Sequence, residues 1–511
     1  MALVFWWSRR SDPKSVSFVQ IGLVFSKVKA YLIRDVLAVC LATVGVAWQL
    51  VYVWSSGWLS NDGIKFWFIN FHDGVMHVAF AQELVKNFPP MQPGAIGMPL
   101  TNYHYWSDLA VAEFSRIWGL SVMHLTFQYF PLLLSLLGVF LMYGLLRSLG
   151  GNRSTARWGL FFYFFAGNLG WLFMLFMHRS FGESLPVIDH GLLLFSNTPQ
   201  AFAKIIFLST VWLLHSWLYR KNYRHAMIAA VLTASLFGFK IYFGLAAAVG
   251  WMALCASIVL TQLRDAKNSV LAKLTVIAQA VLPAALALAL TLLIYLPTNK
   301  SAGGIYYVPL AWPKLLISPT NLDWSDWWLR MQVYSDAGNT KWIVLLNATL
   351  LFVAVVFIFG TRLIGLLGAI HSYKSWKNPL WSFLAVPMIL LACIGLNFLQ
   401  TSGEYNVFNF FIVSLVPLTL FSAWFMGEVV ASSKYRVVVY IVVIGLSIPR
   451  PLFDGFTYVR DVVVQRNYQR VFPSELATYE WIRHTLPVDA VVQPALLETW
   501  DKDTPWTPLF T

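Results

Sequence analysis

The chain has 511 residues, 58% of them hydrophobic and only 12% charged, with a formal net charge of +13. Soluble domains carry about 25% charged residues, so this composition excludes a soluble globular protein. Apolar runs long enough to cross about 30 Å of hydrocarbon recur along the chain and indicate an all-α polytopic membrane protein. The three cysteines, Cys40, Cys255 and Cys393, all lie inside apolar runs, which argues against a disulfide framework and against a cysteine metal site.

Eleven spans are expected, at about 35–55, 122–146, 158–177, 202–219, 226–239, 242–261, 274–296, 342–361, 380–400, 409–429 and 437–449. The segments and span ends that this order places in the cytoplasm hold 20 Lys+Arg against 4 acids, and the remainder holds 16 against 19. That is the positive-inside bias, and it predicts a multi-pass plasma-membrane protein with a cytoplasmic amino terminus and an extracytoplasmic carboxyl terminus. The basicity is then a topology signal, with a lesser role toward anionic lipid and none toward nucleic acid. The first apolar run is too long and too late for a cleaved signal peptide and reads as an anchor.

Residues 1–34 form a basic, partly amphipathic lead-in expected along the inner surface. A transmembrane domain at 35–449 follows, with a first outer loop at 56–121. In that loop GVMHVAFAQELVKNF has helical apolar spacing at Val75, Val78, Ala79 and Leu84. Phe88-Pro89-Pro90 stops the helix, because proline supplies no N–H and restricts its predecessor. A second amphipathic helix begins near Trp106 and leads to the next span. The third expected span buries Asn168 between glycines. The second outer loop carries Arg179, Glu183, Asp189 and His190. The fifth and sixth spans are short and meet at Phe239-Lys240-Ile241, the pattern of a re-entrant or broken helix lining a cavity. The third outer loop is rich in aromatics, among them Tyr306, Tyr307, Trp312, Trp327 and Trp328. A very short fourth loop places Glu404, Asn406 and Asn409 at the mouth of two spans. The segment 450–511 is polar and too short to bury its own core; it either packs on the outer loops or begins a larger domain. A helix at 474–483, capped by Ser474, and a strand at Ala490-Val491-Val492 are expected in it.

The chemistry-bearing residues concentrate in the first outer loop: His72, Asp73, His77 and Glu83, then Tyr103, His104, Tyr105 and Asp108. Asp73 and His77 are four apart, which places both on one helix face within mutual reach. A carboxylate beside a histidine under an apolar roof is a workable general base; the alternative is a pair that merely pins an interfacial helix. His72, Asp73, His77 and His104 match no zinc spacing, whereas weak Mg²⁺ or Mn²⁺ binding by Asp73 with a second acid stays open. Lys240, an ionisable group between apolar runs, either binds a lipid phosphate or diphosphate or snorkels to the interface. Glu404 either touches substrate or is a solvated loop acid. Arg179, Lys204 and His190 are weaker candidates, and His215 reads as a packed histidine. The third-loop aromatics form an interface belt or stack on sugar rings. Asn299-Lys300-Ser301 has the glycosylation-acceptor pattern.

One span, an outer loop opening on an acid-bearing helix, many further spans and an outer carboxyl-terminal segment together resemble the GT-C superfamily of polyprenyl-phosphate-sugar-dependent glycosyltransferases. More narrowly, HDGVMHVAFAQELVKNFPPMQPG…NYHYWSDLAVAEF is similar to bacterial and archaeal membrane proteins with a D-x-x-x-H…FPP…Y-x-Y pattern in the first outer loop, and ELATYEWIRHTLPVDAVV is similar to the start of their outer carboxyl-terminal segment. The resemblance implies a GT-C-like helical bundle and puts the catalytic acid at Asp73. Gly74 and Val75 follow it, where the commoner pattern has a second acid. It further implies a lipid-linked sugar donor and a saccharide, lipid or protein acceptor; the residues themselves put forward Lys240, Glu404, His72, Tyr103, His104 and Arg179 as the substrate-binding set. In that reading Lys240 and Arg179 hold the donor phosphate, and Asp73, steadied by His77, deprotonates an acceptor hydroxyl on the outer side. The competing readings are a transporter or flippase of a lipid-linked saccharide, and a non-catalytic partner in envelope polysaccharide assembly.

Overall fold

The computed structural model of the chain describes residues 26–487 apart from 27, 31, 94–96, 177–196, 266–268, 298–303, 318–324, 401–403 and 461–468. The strand expected at 490–492 and the acids and histidine of the second loop lie outside the described residues. Among the described residues eight helices are long and apolar enough to cross a membrane: Val122–Ser148, Thr198–Arg220, Ile241–Arg264, Val270–Tyr295, Thr340–Ser375, Asn378–Asn397, Phe408–Ser432 and Arg436–Phe453. A shorter apolar helix, Val36–Leu50, occupies the first expected span and gives way to turns well before residue 55. The protein is thus a multi-pass helical membrane protein. Phe408–Ser432 runs through its centre, enclosed on almost all sides, whereas Val270–Tyr295 and Arg436–Phe453 leave most of their surface outward.

Polar residues lock this apolar bundle at a few points. Asp35, almost fully buried, caps Val36–Leu50 by accepting the Ala38 N–H at 3.2 Å. The same carboxylate accepts Arg157 Nε at 2.9 and 3.1 Å and the Tyr143 hydroxyl at 3.2 Å, so three helices meet on one acid. Glu428 accepts the Asn152 N–H at 2.8 Å and the Thr155 hydroxyl at 2.6 Å, which joins the central helix to Arg153–Phe164.

Several expected spans take a different form. The third is not one helix. Arg153–Phe164 stops, and a short helix, Gly170–Phe176, resumes after Gly167 and Asn168. The freed backbone groups are satisfied by neighbours, as they must be at membrane depth. Gly167 N–H donates to the Ser447 carbonyl at 3.1 Å and Leu169 N–H to Phe357 at 3.0 Å. The Arg362 guanidinium donates to the Phe162 carbonyl at 2.7 Å, and Asn168 Oδ1 caps the resumed helix through Gly170 N–H at 3.0 Å. Thr340–Ser375 likewise continues through a segment expected to be cytoplasmic loop, bending at Gly360, whose φ of +56° suits glycine and whose Cα faces the Gly167 carbonyl. The fifth and sixth spans are not a pair of short segments. Tyr223–Phe239 has 17 residues, but Ile241–Arg264 has 24. They are separated by Lys240 alone, in extended conformation, and Gly244 packs on the Phe237 ring.

The loops carry two small antiparallel sheets. Strand β1 (Trp58–Ser60) pairs with β2 (Gly63–Phe66) in the first loop. Strand β3 (Ile305–Tyr307) of the third loop pairs with β4 (Phe398–Gln400), which follows Asn378–Asn397. Trp312 of the third loop is fully buried and packs on Phe411, whereas Tyr306 and Tyr307 stay exposed. Strand β5 (Gln469–Val471) adds to the free edge of β2, with Ile64 opposite Val471. The carboxyl-terminal segment therefore packs on the first loop. Its helix, Pro473–Thr485, starts one residue earlier than expected and is capped by Glu475, which accepts the Phe472 N–H at 2.6 Å, rather than by Ser474.

Gly63 has φ +100°, and a Cβ there would run into the Val471 carbonyl. Gly63→Ala is therefore expected to cost about 1–3 kcal/mol in backbone strain and to loosen β5 from β2. Limited proteolysis should then cut within 469–485 faster than in the wild type; an unchanged cleavage rate would contradict this pairing.

Candidate active site in the first loop

The first loop folds as a helix hairpin, Asp73–Lys86 and Trp106–Trp118. Apolar residues at helical spacing face each other across it: Phe80, Leu84 and Ala112 form one buried cluster with Leu100 and Tyr105. The far end is closed by Arg116, which donates to the carbonyls of Leu84 and, at 3.0 Å, Val85, satisfying acceptors that the end of a helix leaves open. The near end holds the ionisable groups.

The Asp73–His77 pair expected from their spacing is not formed. Asp73 Oδ1 lies 2.7 Å from His72 Nδ1, in a pair whose side chains are 28% and 55% exposed. His77 Nδ1 instead lies 2.9 Å from Oδ1 of Asp108, on the opposing helix, with both side chains under 5% exposed. The reason is desolvation. A buried imidazole N–H must find an acceptor, and Asp108 offers one inside the same dry contact, whereas Asp73 stands in the first turn with water on one side. Asp108 Oδ2 is buried with no hydrogen-bond partner among the described residues. Burial pushes the Asp108 carboxyl above the usual range, with the His77 ring opposing that rise.

Tyr103 and His104 close over this pair. Their rings stack with centroids 4.6 Å apart, and Tyr103 also lies 5.0 Å from Phe80 and 6.1 Å from His77. Burial, then Asp108 and Asp73, raise the Tyr103 hydroxyl far above its ordinary range, so it stays a neutral donor. Burial, then the nearby Lys240 ammonium, hold His104 well below the ordinary histidine range, so it is neutral at pH 7.

Lys240 reaches the same place from the bundle. Trp106, the first residue of the second hairpin helix, packs its ring on Gly238 and lies 6.0 Å from Phe239. This contact seats the hairpin on the one-residue break at Lys240. The Lys240 side chain is buried. No carboxylate among the described residues lies within ion-pair distance of it. The result is a cluster of two acids, three histidines, a tyrosine and a lysine, in which Asp73 pairs with His72 and Asp108 with His77.

Of the other residues singled out, Arg179 lies outside the described residues, and the backbone of Glu404 opens a short 3-10 turn, Glu404–Val407, with its side chain undescribed. Lys204 and His215 are buried on Thr198–Arg220. Glu83 pairs with Lys86 at 3.2 Å, away from the cluster. Asp108 was visible in the sequence but carried no assigned role. The signal was its place on the stripe Asp108, Val111, Ala112, which is the buried face of its helix. Among the described residues no three His, Cys, Asp or Glu side chains converge to hold a metal ion.

No family model and no curated protein sequence matches the chain. Among solved structures it is similar to the oligosaccharyltransferase of Archaeoglobus fulgidus. Against the complex with Zn and sulfate the identity is 13% and the TM-score 0.49, covering 88% of this chain and 55% of that one. Against the apo form the values are 14% and 0.48, covering 88% and 58%. Against the complex with an inhibitory peptide and a dolichol-phosphate they are 13% and 0.44, again covering 88% and 58%. The chain spans a little over half the length of the solved structures it matches.

His104 gives the site a pH signature. Its folded-state pKa lies below its unfolded value of about 6.5, so unfolding takes up a proton once the pH falls below that value. The stability it contributes is present above about pH 6.5 and lost on acidification. The thermal midpoint should fall between pH 7 and pH 5, and His104→Gln should flatten that slope. An equally steep slope in the variant would contradict the burial of a neutral His104.

Proposed function

We propose that this protein is an integral membrane glycosyltransferase that moves a sugar from a polyprenyl-phosphate donor to an acceptor hydroxyl on the extracytoplasmic side. One observation carries the reading: Trp106 packs on Gly238 and Phe239 and so seats the Asp73-bearing hairpin beside the one-residue break that presents Lys240, a buried cation. A lipid phosphate needs a cation at membrane depth, and an ionisable residue there is functional by default. A sugar whose anomeric carbon adjoins that phosphate then lies beside Asp73, where a carboxylate stabilises the positive charge of an oxocarbenium-like state. Tyr103 donates to the sugar or phosphate, and His77, one helical turn from Asp73, is at hand for acid–base work. The resemblance of the HDGVMH…FPP…NYHYWSD stretch to first loops of the GT-C superfamily supports the same assignment.

The breaks at Lys240 and at Gly167-Asn168 favour a second reading, a transporter of lipid-linked saccharide, because interrupted helices line cavities in transporters. The two readings separate on one assay. The full chain in nanodiscs would be given a panel of undecaprenyl-phosphate monosaccharides and a mixed acceptor pool. The expected result is release of undecaprenyl phosphate with sugar transfer. Asp73→Asn should lower kcat by about 10²–10⁴-fold while retaining donor, and Lys240→Ala should chiefly raise the donor KM. Movement of donor across the bilayer with no sugar-transfer product in wild type would instead establish the transporter.

A further inference from the structure

Asp108 is 2% exposed, on a helix whose other buried residues are small or apolar, and it holds an imidazole rather than a cation. Replacing such a pair by apolar side chains is often neutral or stabilising, so the fold alone does not require it. Its geometry is that of an orienting acid. Nδ1 of His77 is committed to Asp108 Oδ1 at 2.9 Å. With the carboxylate ionised, Nδ1 carries the proton and Nε2 is left as the basic nitrogen. The ring is held by Phe80 at 6.2 Å and Tyr103 at 6.1 Å, and it sits one helical turn from Asp73 on the same element.

We infer that Asp108 is a positioning residue for the transfer reaction: it fixes His77 in the Nδ1–H tautomer so that Nε2, and not Asp73, takes the proton of the acceptor hydroxyl. This deepens the glycosyltransferase reading and rests on it. In the step, the acceptor O–H proton passes to His77 Nε2 and the acceptor oxygen forms a bond to the anomeric carbon. The bond from that carbon to the phosphate oxygen breaks, and its electron pair leaves on the polyprenyl phosphate, whose charge faces Lys240. An ionised Asp108, 2.9 Å from Nδ1, stabilises the imidazolium formed. Asp73 is thereby free to face the cationic sugar, which accounts for two separate acids in one cluster. The pairing also explains why Asp73 partners the exposed His72 and leaves His77 to the buried side.

Two measurements on the full chain test this. First, ¹⁵N-histidine spectra of the wild type in lipid, with the His77 signals assigned by their loss in His77→Gln, report the tautomer without any substrate. Nδ1–H with an unprotonated Nε2 is expected; Nε2–H in the wild type would overturn the inference. Second, in the undecaprenyl-phosphate sugar assay, Asp108→Asn should lower kcat by about 10²–10⁴-fold with donor KM within about threefold, and should shift the His77 signals toward Nε2–H. A variant that keeps the wild-type tautomer, or turns over at the wild-type rate, sinks the inference. If Asp108→Asn is silent while Asp73→Asn abolishes transfer, the positioning role fails and the glycosyltransferase reading stands. Absence of transfer by the wild type from every donor in the panel removes that reading and, with it, the proton-transfer role assigned here.

Discussion

A histidine and an aspartate, 2.9 Å apart and both shielded from water, join the two helices of the first loop. Much of the site depends on that contact. Removing either partner would leave the other buried and unpaired, which is far more costly than never having placed the pair there. The contact sets the register of the hairpin at one end, and Arg116 fixes it at the other by capping the first helix. Between those two points Phe80, Leu84 and Ala112 pack without polar interruption. Tyr103 and His104 are then held over the pair, and Trp106 is held against Gly238, so Lys240 comes to the cluster as a consequence of hairpin packing.

The bundle beneath obeys a second constraint. Every backbone group freed by an interrupted helix must be satisfied by protein. The break after Phe164 meets it with the Ser447 and Phe357 carbonyls, the Arg362 guanidinium and the Asn168 amide. The break at Lys240 is shorter, because Lys240 N–H still bonds Leu236 at 2.7 Å and its carbonyl accepts from Phe243 at 3.0 Å. One residue of extended chain thus suffices to present a buried ammonium with little loss of backbone hydrogen bonding.

Much of this was legible in the sequence, but unevenly. Long apolar runs gave most of the membrane helices, since length and hydropathy are local properties. The two first-loop helices followed from apolar spacing and the Phe88-Pro89-Pro90 stop. The helix break at Gly167-Asn168 was hidden because Ser447, Phe357 and Arg362, which satisfy its backbone, lie some 190–280 residues away in sequence. Spacing alone misassigned the partner of His77. An i, i+4 relation makes Asp73 available, but desolvation decides between two acids, and the burial of Asp108 depends on how the second helix packs. The pairing of β5 with β2 was equally invisible, because a three-residue strand acquires its identity from the edge it joins.

In the proposed transferase a lipid phosphate seats against Lys240 with its sugar beside Asp73. The most direct measurement is a cryo-EM map of the full chain in a nanodisc with a non-hydrolysable polyprenyl-phosphonate sugar. The phosphonate should lie against Lys240 Nζ, with the anomeric carbon next to the Asp73 carboxylate and His77 Nε2 turned toward the acceptor side. A headgroup bound elsewhere on the bundle, with the first-loop cluster untouched, would contradict it.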